Sequence, residues 1–166
     1  MVGLGLLGGK YALELTRAGF HVDGINRSEG HLQYALDHGY IASGKTHDFE
    51  DLVQQADHII FGLYPTALLE WFKAYGPLLK PGCIFTDVSG VKTGLVEPVQ
   101  AMCPAGVEFI ASHPMAGRET SSVEHAAEVN FAPANFIITP TDKNTPEAIQ
   151  WAKELAEALA SSISAP

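Results

Sequence analysis

Gly3-Leu4-Gly5-Leu6-Leu7-Gly8, near the start of the 166-residue chain, is a G-x-G-x-x-G element between a short apolar run, Met1 to Leu4, and a helical pattern, Leu6 to Ala18. Each glycine has its own task in that setting. Gly3 permits the tight turn out of a strand, Gly5 lets the backbone approach a pyrophosphate, and Gly8 lets helix and strand pack closely. The helix start at Leu6 and Leu7 offers amide donors and the positive end of the helix dipole to an anion. Leu7, Tyr11, Leu15 and Ala18 recur at helical spacing, and Gly19 falls where a helix-ending glycine belongs. Phe20 to Ile25 then reads as a second strand, so strand, glycine loop, helix and strand follow in the order a dinucleotide-binding unit requires.

Outward from this unit, short apolar runs alternate with helical patterns. Strands are expected at Met1 to Leu4, Phe20 to Ile25, His58 to Leu63, Cys83 to Asp87, Val107 to Ser112 and Asn135 to Thr139. Further helices are expected at Glu29 to His38, Asp48 to Gln55, Thr66 to Tyr75, Thr93 to Met102, and Pro146 to Ala160 with Thr145 as N-cap. This alternation predicts an α/β fold of Rossmann type, with a doubly wound, mainly parallel sheet in a single dinucleotide-binding domain over residues 1–166. No linker, repeat or low-complexity tract interrupts it. Both ends read as cut: Met1 lies two residues before the first motif glycine, and residues 161–166 trail off a helix that leads nowhere, which implies a missing partner region.

Composition narrows the function classes. The chain is 46% hydrophobic and 17% charged, enough apolar content for a core without a disulfide or metal staple. Cys83 and Cys103 form no C-x-x-C pair and no ligand spacing, which fits a reducing, cytoplasmic setting and no metal. Ten basic against nineteen acidic residues give a net charge of −9, so nucleic acid is excluded as a partner for want of a basic footprint. A phosphate or carboxylate site must then be built locally, from backbone amides and a few cations. No run of about 18 apolar residues is present to cross a membrane.

About 20 residues past the glycines, where an NAD enzyme carries an acid for the ribose 2′-hydroxyl, the chain has Asn26-Arg27-Ser28. A carboxylate there would repel a 2′-phosphate by about 4 kcal/mol per unit charge at 4 Å and an effective dielectric near 20. Its absence, with Arg27 able to pair with the phosphate or stack on adenine and Ser28 able to donate, favours NADP, with NAD possible. The plainer reading of Arg27 is a solvated loop residue.

In an open α/β sheet, ligands bind outside the carboxyl ends of the strands. The segments there are Leu63-Tyr64-Pro65-Thr66, then Asp87-Val88-Ser89-Gly90-Val91-Lys92, then Ser112-His113-Pro114-Met115-Ala116-Gly117-Arg118-Glu119. The glycine loop followed by Gly9, the D-x-x-x-V-K loop and H-P-M-A-G-x-E, in this order, resemble the nucleotide-binding domain of the prephenate/arogenate dehydrogenase family. The resemblance covers nearly the whole chain. It implies oxidative decarboxylation of prephenate or arogenate in tyrosine biosynthesis, with hydride passing from the ring carbon bearing the hydroxyl to the nicotinamide.

On that resemblance His113 accepts a hydrogen bond or proton from the substrate hydroxyl, and Glu119 helps order the substrate pocket. Imidazole titrates near pH 6.5 in water, which suits general-base work at neutral pH. The family often has a serine directly before the Val-Lys pair, hydrogen-bonded to the catalytic histidine. Here that position is Gly90, so Ser89 is expected to replace it by another backbone path, or water to orient the ring. Lys92 reads equally as a loop residue and as a solvated helix start. The resemblance also implies a C-terminal helical domain, absent here, that supplies the dimer interface and an arginine for the substrate carboxylate. A homodimer is expected only with that domain, and turnover by these residues alone is not expected. The alternatives are another NADP-dependent dehydrogenase of 3-hydroxyacid type, and a non-catalytic dinucleotide-sensing module.

Overall fold

Val2 sits at the centre of the sheet, bridged in parallel to Ile25 on one side and to Phe61 on the other. The structure, a computed structural model, describes residues 1–116, 121–132 and 134–161. From Val2 the chain forms α1 (Leu6–Arg17) and β1 (Asp23–Ile25), then α2 (Glu29–Asp37) and β2 (Ser43–Lys45), moving outward to one edge. It then crosses back through α3 (Glu50–Gln55) to β3 (His58–Phe61) on the other side of Val2. Next come α4 (Pro65–Tyr75), β4 (Ile84–Asp87), α5 (Val96–Met102) and β5 (Glu108–Phe109). The strand order is therefore β2, β1, Val2, β3, β4, β5, all parallel, and the direction of travel reverses beside Val2. This is the Rossmann arrangement, and the crevice at its reversal point is where ligands are bound.

Helices cover both faces because side chains alternate along each strand. In β3, Ile59 and Phe61 enter a core with Val53 of α3, Leu68 and Phe72 of α4 and Val99 of α5. Ile60 enters the opposite core with Tyr11 of α1 and with Leu155 and Leu159 of α6 (Pro146–Ser161). A third cluster joins α1 and α2 to the short 3₁₀ helix Val123–Glu128. The end of α1 shows how locally the chain is punctuated: Gly19 adopts φ +90°, its amide donates to Thr16, and Phe20 donates to Leu15. This paired closure satisfies the last carbonyls of the helix.

Several expected elements differ. The strand expected over Met1 to Leu4 contributes Val2 alone as a bridge, although its neighbours still pair, with Gly3 N–H donating to Ile25 and Ile25 N–H to Met1. The second strand begins at Asp23, not Phe20, whose side chain is exposed. β2, with sequence Ser-Gly-Lys, carries no apolar run and was not foreseen. The single strand expected over Val107 to Ser112 divides at Ile110. Glu108–Phe109 pairs with β4, whereas β6 (Ala111–Pro114) turns away and pairs antiparallel with β7 (Phe136–Thr139). The helix expected from Thr93 begins at Val96, and the one expected from Asp48 begins at Glu50, after Asp48 takes φ +49°.

Gly9 carries the contact between α1 and the 3₁₀ helix. A Cβ there would lie 2.8 Å from Val123 Cγ2 and 2.9 Å from Ala126 Cβ. Both neighbours are fully buried, so neither has room to withdraw. Gly9→Ala is expected to destabilise the fold by about 1–2 kcal/mol despite alanine's better helix propensity, because overpacking outweighs it. Thermal unfolding checks this: an unchanged or raised Tm contradicts the packing account.

Candidate active site

The glycine loop is arranged around one carbonyl. A Cβ on Gly8 would lie 1.9 Å from the Gly3 oxygen, and a Cβ on Gly62 would lie 2.6 Å from the same atom. Gly3 itself has φ +88°, and its own Cβ would meet the Gly62 oxygen at 2.7 Å and Leu63 Cδ2 at 2.8 Å. Gly5 is different: a Cβ there meets nothing within 4 Å. It precedes α1 with no side-chain cap and no acidic residue in the first turn, so the amides of Leu6 and Leu7 have no intrahelical acceptor. Among the described residues the loop thus presents open space and unpaired N–H donors at the carboxyl edge of the sheet, a fit to a pyrophosphate. Tyr64, strongly exposed at 87%, and Pro65, the first residue of α4, stand on the neighbouring loop after β3.

Asn26 braces this loop. Its Oδ1 accepts from the Leu4 amide at 2.9 Å, and its Nδ2 donates to the Ser28 carbonyl at 2.9 Å. Ser28 caps α2, accepting from the His31 amide at 3.3 Å. Arg27 between them is exposed and makes no ion pair among the described residues. Sequence reasoning placed these three residues at a cofactor, but two of the side chains also have structural work that the spacing alone did not reveal.

His113 lies on β6, one residue after the buried Ser112. Its Nδ1 is 2.9 Å from the Val88 carbonyl oxygen. A carbonyl only accepts, so Nδ1 carries a proton, and the tautomer this bond selects is the one whose Nε2 keeps its lone pair. Nε2 has no hydrogen-bond partner among the described residues, and a Cβ on Gly90 would sit 3.3 Å from it. Ser89 does not orient the ring: its Oγ exchanges hydrogen bonds with the Val91 backbone, at 3.2 and 3.3 Å, and its amide donates to Asp87. The carbonyl of Val88 does what Ser89 was expected to do. Gly117, Arg118 and Glu119 lie outside the described residues.

The D-x-x-x-V-K loop holds a feature that the sequence reading left undecided. Lys92 Nζ donates to both Asp87 oxygens at 2.6 Å and to the Ser112 carbonyl at 2.6 Å. Asp87 is fully buried and Lys92 is 18% exposed. Burial pushes the Asp87 carboxyl above its ordinary pKa and the Lys92 ammonium below its own, and the pairing opposes both shifts. Lys92 is therefore not a solvated helix start. The signal was present in the loop, an acid closing a strand and a lysine five residues on, but spacing does not show which way either side chain turns.

Residues 11–164 match the family described as prephenate dehydrogenase, nucleotide-binding domain. The chain belongs to that family. It is 30% identical over 160 residues to the prephenate dehydrogenase of Bacillus subtilis, an alignment covering 93% of this chain and 42% of that protein. Its fold superposes on Synechocystis arogenate dehydrogenase with a TM-score of 0.85 at 29% identity, covering 96% of this chain and 55% of that one. It superposes equally, at 0.85 and 27% identity, on the Aquifex aeolicus prephenate dehydrogenase in complex with hydroxyphenyl propionate and NAD+, covering 95% and 55%. The chain thus spans about half the length of the relatives it matches. Among the described residues no helix is long and apolar enough to cross a membrane, and no cluster of three His, Cys, Asp or Glu is placed to hold a metal.

The glycine geometry separates folding from binding. Gly5→Val is expected to leave thermal stability nearly unchanged and to weaken dinucleotide binding by about tenfold or more, as it fills the space beside the free amides. Gly8→Ala is expected to lower stability by more than about 3 kcal/mol, because its Cβ meets backbone that cannot move aside. Calorimetric titration and thermal melts of the two variants check the pair of outcomes. Equal effects on both measurements in both variants would refute the separation.

Proposed function

We propose that this chain is the cofactor half of a dehydrogenase that oxidatively decarboxylates prephenate or arogenate in tyrosine biosynthesis, in the cytoplasm. The observation that carries the reading is the His113 ring, with Nδ1–H on the Val88 carbonyl and Nε2 left to accept. A neutral imidazole so fixed is suited to take the proton of a substrate hydroxyl as that carbon becomes carbonyl-like. Gly3, Gly5, Gly8 and the amides of Leu6 and Leu7 hold the pyrophosphate, with Leu63, Tyr64 and Pro65 along the adjoining edge. The bound dinucleotide supplies the hydride acceptor. Glu119 belongs to the substrate side in this reading. In this reading a further region, corresponding to the rest of the relatives' length, carries the homodimer interface and the cation for the substrate carboxylate.

NADP is the preferred dinucleotide in this proposal. Asn26 has both ends of its amide engaged and offers no carboxylate against a 2′-phosphate, while Arg27 beside it is exposed with no acid holding it among the described residues. A charge-assisted pair between Arg27 and a phosphate is worth about 1.5–3 kcal/mol, roughly ten- to a hundredfold in affinity. Arg27→Ala is therefore expected to weaken NADP binding by at least about tenfold and NAD binding by less than about threefold. Equal losses for the two cofactors in calorimetry would return Arg27 to a solvated loop residue.

The chemistry is tested in the whole protein with prephenate and arogenate as substrates. His113→Asn is expected to lower kcat by about 10²–10⁴ with dinucleotide affinity nearly unchanged, because the ring contacts the reacting hydroxyl and not the phosphates. A variant with near-normal kcat would assign His113 a structural role.

A further inference from the structure

We infer that Lys92 is the positioning residue for His113, one ammonium that fixes both the backbone entering the histidine and the carbonyl that orients its ring. The inference rests on the proposed role of His113 as proton acceptor and adds to it the device that aims the ring.

The need for such a device follows from the path of the strands. The parallel ladder between β4 and β5 ends at Phe85 and Phe109, with a last backbone bond from the Ile110 amide to the Phe85 carbonyl at 3.0 Å. From Ala111 the chain turns to pair with β7, so β6 has a backbone ladder on that side only. Toward β4 the contacts involve side chains. Thr86 Oγ1 and Ser112 Oγ lie 2.7 Å apart, Ser112 Oγ donates to the Asp87 carbonyl at 3.2 Å, and His113 Nδ1 donates to the Val88 carbonyl at 2.9 Å. Lys92 closes the set through the Ser112 carbonyl.

That carbonyl belongs to the peptide linking Ser112 to His113, so holding its oxygen fixes the plane from which the His113 side chain departs. The other two donors of the ammonium go to the carboxylate of Asp87, the residue directly before Val88. Asp87 is further tied by the Ser89 amide, 3.1 Å from Oδ2. Both attachments of the imidazole, through its backbone and through its ring nitrogen, thus converge on one Nζ whose three hydrogens all have acceptors. A neutral side chain at 92 cannot supply this. Without it the Ser112 hydroxyl on the Asp87 carbonyl still links the two segments, but the charge-assisted tie between the Asp87 carboxylate and the Ser112–His113 peptide is lost, which loosens the Val88 carbonyl against the ring and the preference for one tautomer.

The test uses the whole protein with ¹⁵N-labelled histidine, the His113 resonances being assigned by their loss in His113→Asn. In the unmodified protein His113 gives the signature of a neutral ring protonated on Nδ1. Lys92→Met is expected to replace it with a mixture of tautomers, and to lower kcat by at least about tenfold while the Kd for NADP changes by less than about twofold. Lys92→Arg, which keeps the charge and can bridge both acceptors, is expected to retain the Nδ1–H tautomer and most of kcat. Should Lys92→Met fail to fold with Asp87 left unpaired, the Asp87→Asn, Lys92→Met double variant decides, since it buries no charge and still lacks the bond to Ser112. A His113 tautomer unchanged in the folded variant overturns the inference. Absence of turnover on either substrate in the unmodified protein overturns the functional reading instead, and the tautomer measurement distinguishes the two.

Discussion

The Gly3 carbonyl is boxed between two positions that tolerate no side chain, Gly8 in the first helix and Gly62 after β3. That close approach lets a helix begin at the mouth of the sheet while β3 passes on the other side, with the Gly62 amide donating to the Val2 carbonyl at 2.8 Å. Substituting either glycine would separate α1 from β3 and widen the crevice where the strand order reverses. The unpaired amides of Leu6 and Leu7 are therefore consequences of packing before they are features of a binding site. On the proposed reading fold and phosphate cradle use the same atoms, and of the three motif glycines Gly5 is the one whose added Cβ would meet no neighbour.

A second constraint acts where the parallel sheet ends. A strand continuing in register with β4 would have left position 113 in a uniform ladder, whereas the turn at Ile110 brings β6 onto β7 and opens a gap that side chains fill. Burying Asp87 and Lys92 in that gap is unfavourable for each ion alone. An apolar pair of similar volume would fill the space, but it could not hold the Ser112 carbonyl or brace the residue before Val88. The cost of desolvation is offset locally by three donors meeting three acceptors, and the result is a ring with one nitrogen committed and the other available.

Much of this was legible in the sequence wherever local chemistry decides the outcome. The glycine loop, Gly19 as the helix terminator and the apolar runs of β3 and β4 each depend on neighbours within a few residues. The order of the elements then prescribes the doubly wound sheet. What escaped depends on distant partners. β2 is recognisable only because Ser43, Gly44 and Lys45 lie against β1, since three such residues carry no pattern of their own. The break at Ile110 is invisible because Phe109, Ile110 and Ala111 form one unbroken apolar run across it, and the pairing with β7 that draws the second half away is made far along the chain. Ser89 was expected at His113 because it stands one residue before Gly90, where the family resemblance implies a serine, but its hydroxyl closes its own turn on Val91, and a backbone carbonyl took the role.

Electrostatics explains why so acidic a chain has the features of an anion site. With a net charge of −9 the mean field opposes phosphate, and several cations close to the sheet are already neutralised. Lys10 and Arg17 of α1 both sit on the Glu14 carboxylate, Lys92 on Asp87, and Lys45 on Asp51. Lys45 is the instructive case, because its carbonyl accepts from the Asn26 amide and its backbone therefore adjoins the cofactor loop, yet its ammonium is held elsewhere. At the end of β1 this leaves, among the described residues, the exposed Arg27 and the helix amides as attractive groups. Amides bind a pyrophosphate without regard to what the ribose carries, whereas the proposed NADP preference rests on a guanidinium beside an uncharged Asn26, which one added phosphate would attract. On the proposed reading, holding a dinucleotide and choosing between its two forms fall to different atoms of the same loop.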